Sequence, residues 1–277
     1  MSWLLTIHFF FILLIIQEPE NNESEPPYLT AIDTGKPWSP PFETLALSLD
    51  WSNRLHSTST PNLITSYSNG HLCLQSLTPT GLMPLSHWRA HDLEVWIGAF
   101  DAHNPSLVYS GSDDGIFKTW DTRTPSPTSP SSSPSTSSPV QVMRSKVHEA
   151  GVTTFESHPT RPYSFVTGSY DEKVRLWDTR MGTQNSKAIL QEINVGGGIW
   201  RLKWHPKRMD TLLVAAMYGG VIVLDLKKEN PLVQSYQEHR SIAYGADWSF
   251  DPQFESTPLI GSCSFYDHSF HLYYSSL

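Results

Sequence analysis

The residues best suited to acid–base chemistry lie near the end of the chain. His239 stands in one segment, and Asp267 and His268 close a second segment, Cys263–His268. Histidine titrates near neutral pH and a carboxylate can orient its ring, so this set could supply a general base for hydrolysis. We therefore take His268 and His239 as candidate catalytic bases and Asp267 as the group that orients them. A purely structural pairing of His239 with Asp267 is the simpler interpretation.

A second unusual segment, Val195–Pro206, begins with consecutive glycines where the related segments of the chain have a histidine. Glycine lets the backbone approach a ligand closely, and free backbone N–H groups can stabilise an oxyanion. An odd turn without a ligand is the alternative. The residues that we expect to contact a substrate are Gly196, Gly197, Gly198, Trp200, Arg240 and Tyr244.

Composition excludes several classes of function. The 277 residues carry 19 basic and 27 acidic side chains, a net charge of −8, which argues against sequence-independent nucleic-acid binding. We find no phosphate-binding glycine loop and no paired metal-binding histidines, so we expect neither a metal nor a cofactor. The two cysteines, Cys73 and Cys263, are predicted to be free thiols on buried strands. So few cysteines suit a reducing compartment, which favours a cytoplasmic protein.

The N-terminal segment, residues 1–41, is atypical. Its apolar run, Leu4–Ile16, is shorter than the roughly 20 residues that span a bilayer, so we do not expect a membrane protein. Basic residues before the run and small residues after it, which a signal peptide needs, are missing. A targeting segment, a stray strand and an imperfect start of the gene model are the alternatives for this segment.

The rest of the chain, residues 42–277, repeats one pattern of a tight turn followed by alternating apolar residues. Equivalent positions lie 45, 57, 47 and 49 residues apart, and the longest spacing contains a Ser/Pro-rich run at 124–139. We predict that this run is a disordered insertion. A repeat of roughly 40–45 residues that ends in Trp-Asp is typical of a WD-repeat blade. The equivalent positions are Gln75, Trp120, Trp177, Leu224 and Tyr273.

Each repeat also contains an earlier segment in which apolar residues recur at every second position, the period of a half-buried strand. These predicted first strands cover 45–51, 95–100, 152–157, 199–204 and 243–248. The sequence therefore predicts an all-β protein, a WD-repeat β-propeller with about five recognisable blades. Five blades could close a ring, but this repeat type more usually closes with seven, so an N-terminally incomplete seven-blade ring is the second interpretation.

Two of the repeats contain polar sets that mimic a Ser-His-Asp triad. In WD repeats such residues hydrogen-bond within one blade, and no strand–turn–helix nucleophile motif is present, so we interpret them as structural. The predicted sets are His91, Ser112, Asp114 and Trp120 in one blade, and His148, Ser169, Asp171 and Trp177 in the next.

The irregular segments carry a resemblance to a known family. The triple-glycine segment Gly196–Pro206, the segment Asp113–Arg123 and the segment Cys263–His268 are similar to the diphthine methyl ester hydrolases, also named diphthine methyltransferases. The resemblance covers about residues 42–274. It implies hydrolysis of the methyl ester of methylated diphthine on a histidine of translation elongation factor 2, a step in diphthamide biosynthesis. Residues 1–41 depart from the family, where its first blades should lie.

A non-catalytic adaptor, such as a ubiquitin-ligase substrate receptor, is the competing class. Its sequence support is the Trp-Asp-Thr-Arg ending of two repeats, which would place the partner contact at Arg123 and Arg180.

Overall fold

The computed structural model describes residues 13–17, 28–32, 44–55, 60–79, 81–125, 138–181 and 188–277. Short 3₁₀ turns at Thr179–Met181 and Pro252–Phe254 accompany the strands. The strands are β1 (Leu13–Gln17), β2 (Tyr28–Ile32), β3 (Ala46–Trp51), β4 (Asn62–Tyr67), β5 (His71–Thr78), β6 (Gly81–Arg89), β7 (Ile97–Phe100), β8 (Leu107–Gly111), β9 (Phe117–Pro125), β10 (Pro139–Ser145), β11 (Val152–Ser157), β12 (Ser164–Ser169), β13 (Lys173–Asp178), β14 (Ile189–Asn194), β15 (Arg201–Trp204), β16 (Thr211–Ala215), β17 (Val221–Asp225), β18 (Leu232–Tyr236), β19 (Ala243–Trp248), β20 (Leu259–Ser264) and β21 (Phe270–Tyr274).

The strands from β3 onward form antiparallel meanders that correspond to the predicted repeats. Blades 1 to 4 are the four-stranded sheets β3–β6, β7–β10, β11–β14 and β15–β18, and blade 5 is the three-stranded sheet β19–β21. The all-β propeller prediction is confirmed. A separate pair joins β1 to β2, so the end of the apolar run Leu4–Ile16 is a strand, whereas residues 4–12 lie outside the described part of the chain.

The first strands of consecutive blades lie side by side, in the order β3, β7, β11, β15 and β19. Side chains bridge them: the Gly98 N–H donates to Ser48 Oγ at 2.8 Å, and the Phe100 N–H donates to an Asp50 carboxylate oxygen at 2.8 Å. The predicted first strands are confirmed, although three of them begin one or two residues later than expected.

The core consists of apolar layers between neighbouring blades. Because side chains alternate along a strand, each sheet presents one set of residues to the blade before it and another to the blade after it. The layer between blades 2 and 3 is aromatic, and each of these side chains contributes roughly 1.5–3 kcal/mol by its burial. Its large members are Tyr109, Phe117, Phe155, Phe165 and Trp177.

Chain direction places two kinds of loop at one end of every blade. The connections between blades and the turns between second and third strands meet there, and we call this end the upper face. Hydrogen bonds join the two loop types, as in the bond from the Val195 N–H to the Glu172 carbonyl oxygen at 2.9 Å. The opposite end, the lower face, carries the connection between β9 and β10.

Two sequence predictions need correction. The predicted insertion at 124–139 is shorter, because β9 continues through Pro125 and β10 begins at Pro139; residues 126–137 lie outside the described part. Cys73 is buried as predicted, but Cys263 is exposed. Alternation along β20 turns the neighbouring Ser262 inward and Cys263 to the solvent side.

Candidate functional site

The polar set of blade 2 is a structural frame. The His91 ring pairs through Nε2 with Ser110 Oγ at 2.8 Å and through Nδ1 with the Asp114 carboxylate at 3.0 Å. The Trp120 Nε1–H donates to the same Ser110 hydroxyl at 2.9 Å. The prediction that Ser112 supplies this hydroxyl was wrong. Its Oγ accepts a hydrogen bond from the Asp114 N–H within the turn.

Blade 3 repeats the histidine–hydroxyl–tryptophan part of this frame with a threonine, but the predicted Asp171 pairs with Arg175 at 2.8 Å and not with His148. His148 Nε2 pairs with Thr167 Oγ1 at 2.9 Å, and the Trp177 Nε1–H donates to that hydroxyl at 2.9 Å. The prediction of Ser169 was again wrong by two positions along the chain. The Ser169 Oγ accepts a hydrogen bond from the Asp171 N–H instead. Burial lowers the pKa of His148 to about 3, so this ring is neutral and serves no acid–base purpose near neutral pH.

Blade 5 builds the same frame with one extra hydroxyl. His239 Nε2 pairs with Ser262 Oγ at 2.8 Å, and its Nδ1 pairs with Ser269 Oγ at 3.0 Å. The Ser269 hydroxyl in turn donates to the Asp267 carboxylate at 3.2 Å. The structure therefore brings His239 and Asp267 into one network, but Asp267 orients the ring through Ser269 and not directly. Burial, and then His271 stacked at 4.3 Å, lower the pKa of His239.

His268 differs from His239 in its exposure, its hydrogen bonds and its backbone conformation. It is exposed at the tip of the β20–β21 turn, and no hydrogen bond of its ring to another described residue is found. Its backbone is left-handed, with φ of 49°. The corresponding turn positions of the other blades are also left-handed and are mostly glycine: Gly70, Gly115, Glu172 and Gly220. Like Glu172, His268 therefore occupies a turn position that usually favours glycine.

The glycine loop packs tightly on blade 4. A Cβ on Gly197 would lie 2.1 Å from the Ala216 carbonyl oxygen, and one on Gly198 would lie 3.3 Å from the Tyr170 ring. Gly196 needs its freedom for a φ of 74°, and its N–H donates to Asn194 Oδ1. Gly197 is buried and Gly198 is half-buried, and no acceptor for either backbone N–H group is found among the described residues.

Aromatic side chains from four blades meet beside this loop, and we call them the aromatic ridge. Trp200 contacts Trp96 at 5.5 Å, Tyr170 at 6.0 Å and Tyr244 at 4.6 Å between ring centroids. Tyr244 continues to Phe265 at 5.2 Å. Because its rings are tilted or edge-on to one another, the ridge is an apolar surface that presents both ring faces and ring edges. Its members are Trp96, Tyr170, Trp200, Tyr244, Phe265 and Tyr266.

The predicted contact residues divide between the ridge and the blade 5 turn. Trp200, Tyr244 and the glycines lie at the ridge, whereas the Arg240 backbone N–H donates to the Asp267 carboxylate at 3.1 Å. The two groups join through the turn itself, because Phe265 of the ridge lies two residues before Asp267 in that turn.

Sequence reasoning missed Trp96, Tyr170 and Phe265. A signal existed for one of them: Trp96, Trp200 and Tyr244 occupy the same position, beside the start of the first strand in blades 2, 4 and 5. An aromatic residue at three equivalent positions on one face could have predicted the ridge.

No metal centre accompanies these groups: the described residues contain no cluster of three or more His, Cys, Asp or Glu side chains that could hold an ion. In the same part of the chain, no helix has the length and apolar character needed to cross a membrane.

Comparison with known proteins agrees with the fold. The family model described as WD domain, G-beta repeat matches residues 82–121 and 138–178. The chain is 38% identical over 235 residues to the diphthine methyltransferase homolog of Dictyostelium discoideum, covering 81% of this chain and 61% of that protein. It is 38% identical over 219 residues to the diphthine methyltransferase of Homo sapiens, covering 75% of this chain and 45% of that protein.

A more distant relative, the diphthine methyltransferase of Saccharomyces cerevisiae, is 31% identical over 208 residues, covering 65% of this chain and 49% of that protein. The chain thus spans about half to three-fifths of the length of these relatives. With its repeated His–hydroxyl–Trp frames the chain is a WD-repeat protein, and most of it is similar to proteins named diphthine methyltransferase.

Proposed function

We propose that this protein acts in diphthamide biosynthesis and hydrolyses the methyl ester of methylated diphthine on translation elongation factor 2. The observation that carries the proposal is the similarity of most of the chain to proteins named diphthine methyltransferase. Water adds to the ester carbonyl carbon, the bond to the methoxy oxygen breaks, and the products are the carboxylate of diphthine, methanol and a proton.

We assign one group of the upper face to each requirement of that reaction. Ester hydrolysis needs a general base to activate water and N–H donors for the oxyanion. In our proposal His268 is the base, and the free N–H groups of Gly197 and Gly198 receive the oxyanion. His239, with both ring nitrogens engaged by hydroxyls, is a positioning residue that holds the turn through Ser269. The aromatic ridge stacks on the imidazole ring of the modified histidine.

The activity is tested by incubating the purified 277-residue chain with elongation factor 2 whose methylated diphthine carries a labelled ester methyl group. Label released as methanol supports hydrolysis. Label retained on the factor argues against the proposal, and label transferred to another protein or small acceptor indicates a transferase. Because the reaction occurs on a translation factor, we also propose a cytoplasmic location, which cell fractionation tests.

The base is tested by replacing His268 and His239 separately with alanine. General bases contribute about 10²–10⁴-fold to rate, so we expect His268→Ala to lose at least about 100-fold in turnover with its melting temperature preserved. His239→Ala is expected to lose stability first. Turnover at the unmutated level in both variants would eliminate these roles.

A matched feature of the lower face favours a second function, that of an adaptor. Arg123 pairs with Asp121 at 2.6 Å and Arg180 pairs with Asp178 at 2.5 Å, and the two arginine side chains are 65% and 68% exposed. Two identical, outward-facing pairs on neighbouring blades suit a partner such as a ubiquitin ligase. Loss of binding to a purified ligase adaptor in the double variant Arg123→Ala, Arg180→Ala would support this function, and absence of binding by the unmutated chain would reject it.

A further inference from the structure

Arg201 differs from the other cations on the first strands of the blades. Lys203 pairs with Glu156 at 3.2 Å, and Arg54, which follows β3, pairs with Asp50 at 2.9 Å and with Glu156 at 3.3 Å. Arg201 lies two residues before Lys203, on the same side of β15, yet no carboxylate of the described residues lies within ion-pair distance of it. It is therefore a cation whose counterion this part of the chain does not provide.

The surroundings of Arg201 preserve most of its hydrogen-bonding capacity. Its guanidinium lies 5.0 Å from the centroid of the Trp200 ring, and one of its N–H groups donates to the Trp200 carbonyl oxygen at 2.7 Å. A guanidinium has five N–H donors in one plane, so several remain for a ligand. The ionisable groups that interact electrostatically with Arg201 are Tyr244, Glu156 and Tyr170, and Glu156 already pairs with Lys203 and Arg54.

The position of this charge fits a planar pair of oxygen atoms. A guanidinium that stacks on an aromatic ring holds its fork in a fixed orientation, and such a fork matches the two oxygens of a carboxylate. The half-buried side chain is partly removed from water, which strengthens any charge-assisted hydrogen bond that it makes. Burial also lowers the pKa of Arg201, because it disfavours the charged guanidinium. An anion that binds beside the guanidinium would stabilise this buried charge.

We propose that Arg201 binds the carboxyl end of the substrate: the ester carbonyl oxygen before the reaction and the carboxylate after it. This inference rests on the proposed function and adds the residue that recognises the reacting group. Because the carboxylate group of the product is negatively charged and the ester group is not, Arg201 makes the site prefer the product, and the product inhibits the protein.

The test separates recognition from hydrolysis by using small probes. Imidazole-4-acetate and its methyl ester share a ring and differ in charge, and their binding to the 277-residue chain can be followed by tryptophan fluorescence, since Trp200 lies beside Arg201. We expect the carboxylate to bind at least about tenfold more tightly than the ester, as charge-assisted hydrogen bonds imply. We expect Arg201→Met to remove this difference.

The matched control is Lys203→Gln, compared with Arg201→Gln. Each variant removes one cation from β15, but Lys203 already has Glu156 as its partner, so Lys203→Gln should keep the preference for the carboxylate while Arg201→Gln loses it. If Arg201→Met fails to fold, Arg201→Gln gives the same reading. Equal binding of carboxylate and ester by the unmutated chain, or a preference that survives in the Arg201 variants, would overturn the inference. A carboxylate preference that depends on Arg201, in a chain that releases no methanol, would support the inference and reject the proposed function.

Discussion

Blades 3 and 5 contain the same histidine–hydroxyl pair but differ in the residues around it. In each, a histidine on the loop before the blade pairs with a hydroxyl of the second strand: His148 with Thr167, and His239 with Ser262. Around this frame, blade 3 buries aromatic rings, whereas blade 5 exposes Phe265 on the upper face. The comparison teaches that the repeated residues build the blade, and the positions that vary around them are free to carry chemistry.

The largest difference between the two blades is expected when one aromatic ring is removed from each of them. Phe165 is buried between Tyr109 at 5.1 Å and Trp177 at 5.7 Å, so Phe165→Ala should destabilise the protein by about 3–5 kcal/mol. Phe265 is 51% exposed, and Phe265→Ala should cost less than about 1 kcal/mol while it weakens substrate binding. Urea denaturation measures both variants. Equal destabilisation would mean that the two blades are not functionally distinct.

Acid should destabilise the protein through His148 of the blade 3 frame and through two buried histidines that follow first strands, His158 and His205. Burial lowers the pKa of His148 to about 3 and that of His158 and His205 to about 4, below the 6.5 of an exposed histidine. Below pH 6.5 the unfolded chain therefore binds more protons than the folded one, and stability falls as the pH falls from there toward 4. Each histidine should contribute on the order of 1–2 kcal/mol to the loss between pH 7 and pH 5.

Urea denaturation at pH 7 and pH 5 checks this expectation, with His158→Asn as the comparison. The variant should show a shallower pH dependence than the unmutated chain. A stability that rises on acidification to pH 5 would show that these rings are not held neutral.

Two neighbouring glycines of the glycine loop, Gly197 and Gly196, are expected to differ in how much an added methyl group destabilises the protein. A Cβ at Gly197 would collide with the Ala216 carbonyl oxygen, so Gly197→Ala should cost about 1–3 kcal/mol. Gly196 has open space around it, and Gly196→Ala should cost only the roughly 1 kcal/mol of a left-handed alanine. Thermal denaturation of the two variants should rank them in this order, and the reverse ranking would contradict the packing described for the loop.

The smallest expected effect concerns the backbone of His268. At a φ of 49° glycine is less strained than alanine, because it has no Cβ. The variant His268→Gly should therefore be more stable than His268→Ala by up to about 1 kcal/mol. Turnover should be lost equally in both variants, because the ring and not the turn supplies the base. Turnover that survives in the glycine variant alone would mean that His268 matters through the turn conformation.

The repeats could be predicted from the sequence because their signal is local and recurs. Strand β11 was predicted at 152–157 and strand β19 at 243–248, as found. The frame hydroxyls could not be fixed, because each second strand offers two candidates on the same face, Ser110 with Ser112 and Thr167 with Ser169. Only the distance to the histidine decides between them.

The aromatic ridge and the environment of Arg201 could not be predicted from the sequence, because both depend on contacts between distant parts of the chain. Trp96, Tyr170 and Tyr244 come from three different blades, and each is unremarkable within its own repeat. Arg201 has no carboxylate partner among the described residues, and this is a property of the neighbouring sheets, which its own segment does not reveal.

The central claim is that blades 4 and 5 bind the substrate at the upper face while the regular blades support them. Hydrogen–deuterium exchange of the chain with elongation factor 2 bearing the methyl ester tests it most directly. We predict slower exchange at residues 195–201 and 240–268, including the free amides of Gly197 and Gly198, and no change at 121–123 or 178–180. Protection confined to those lower-face segments would contradict the account.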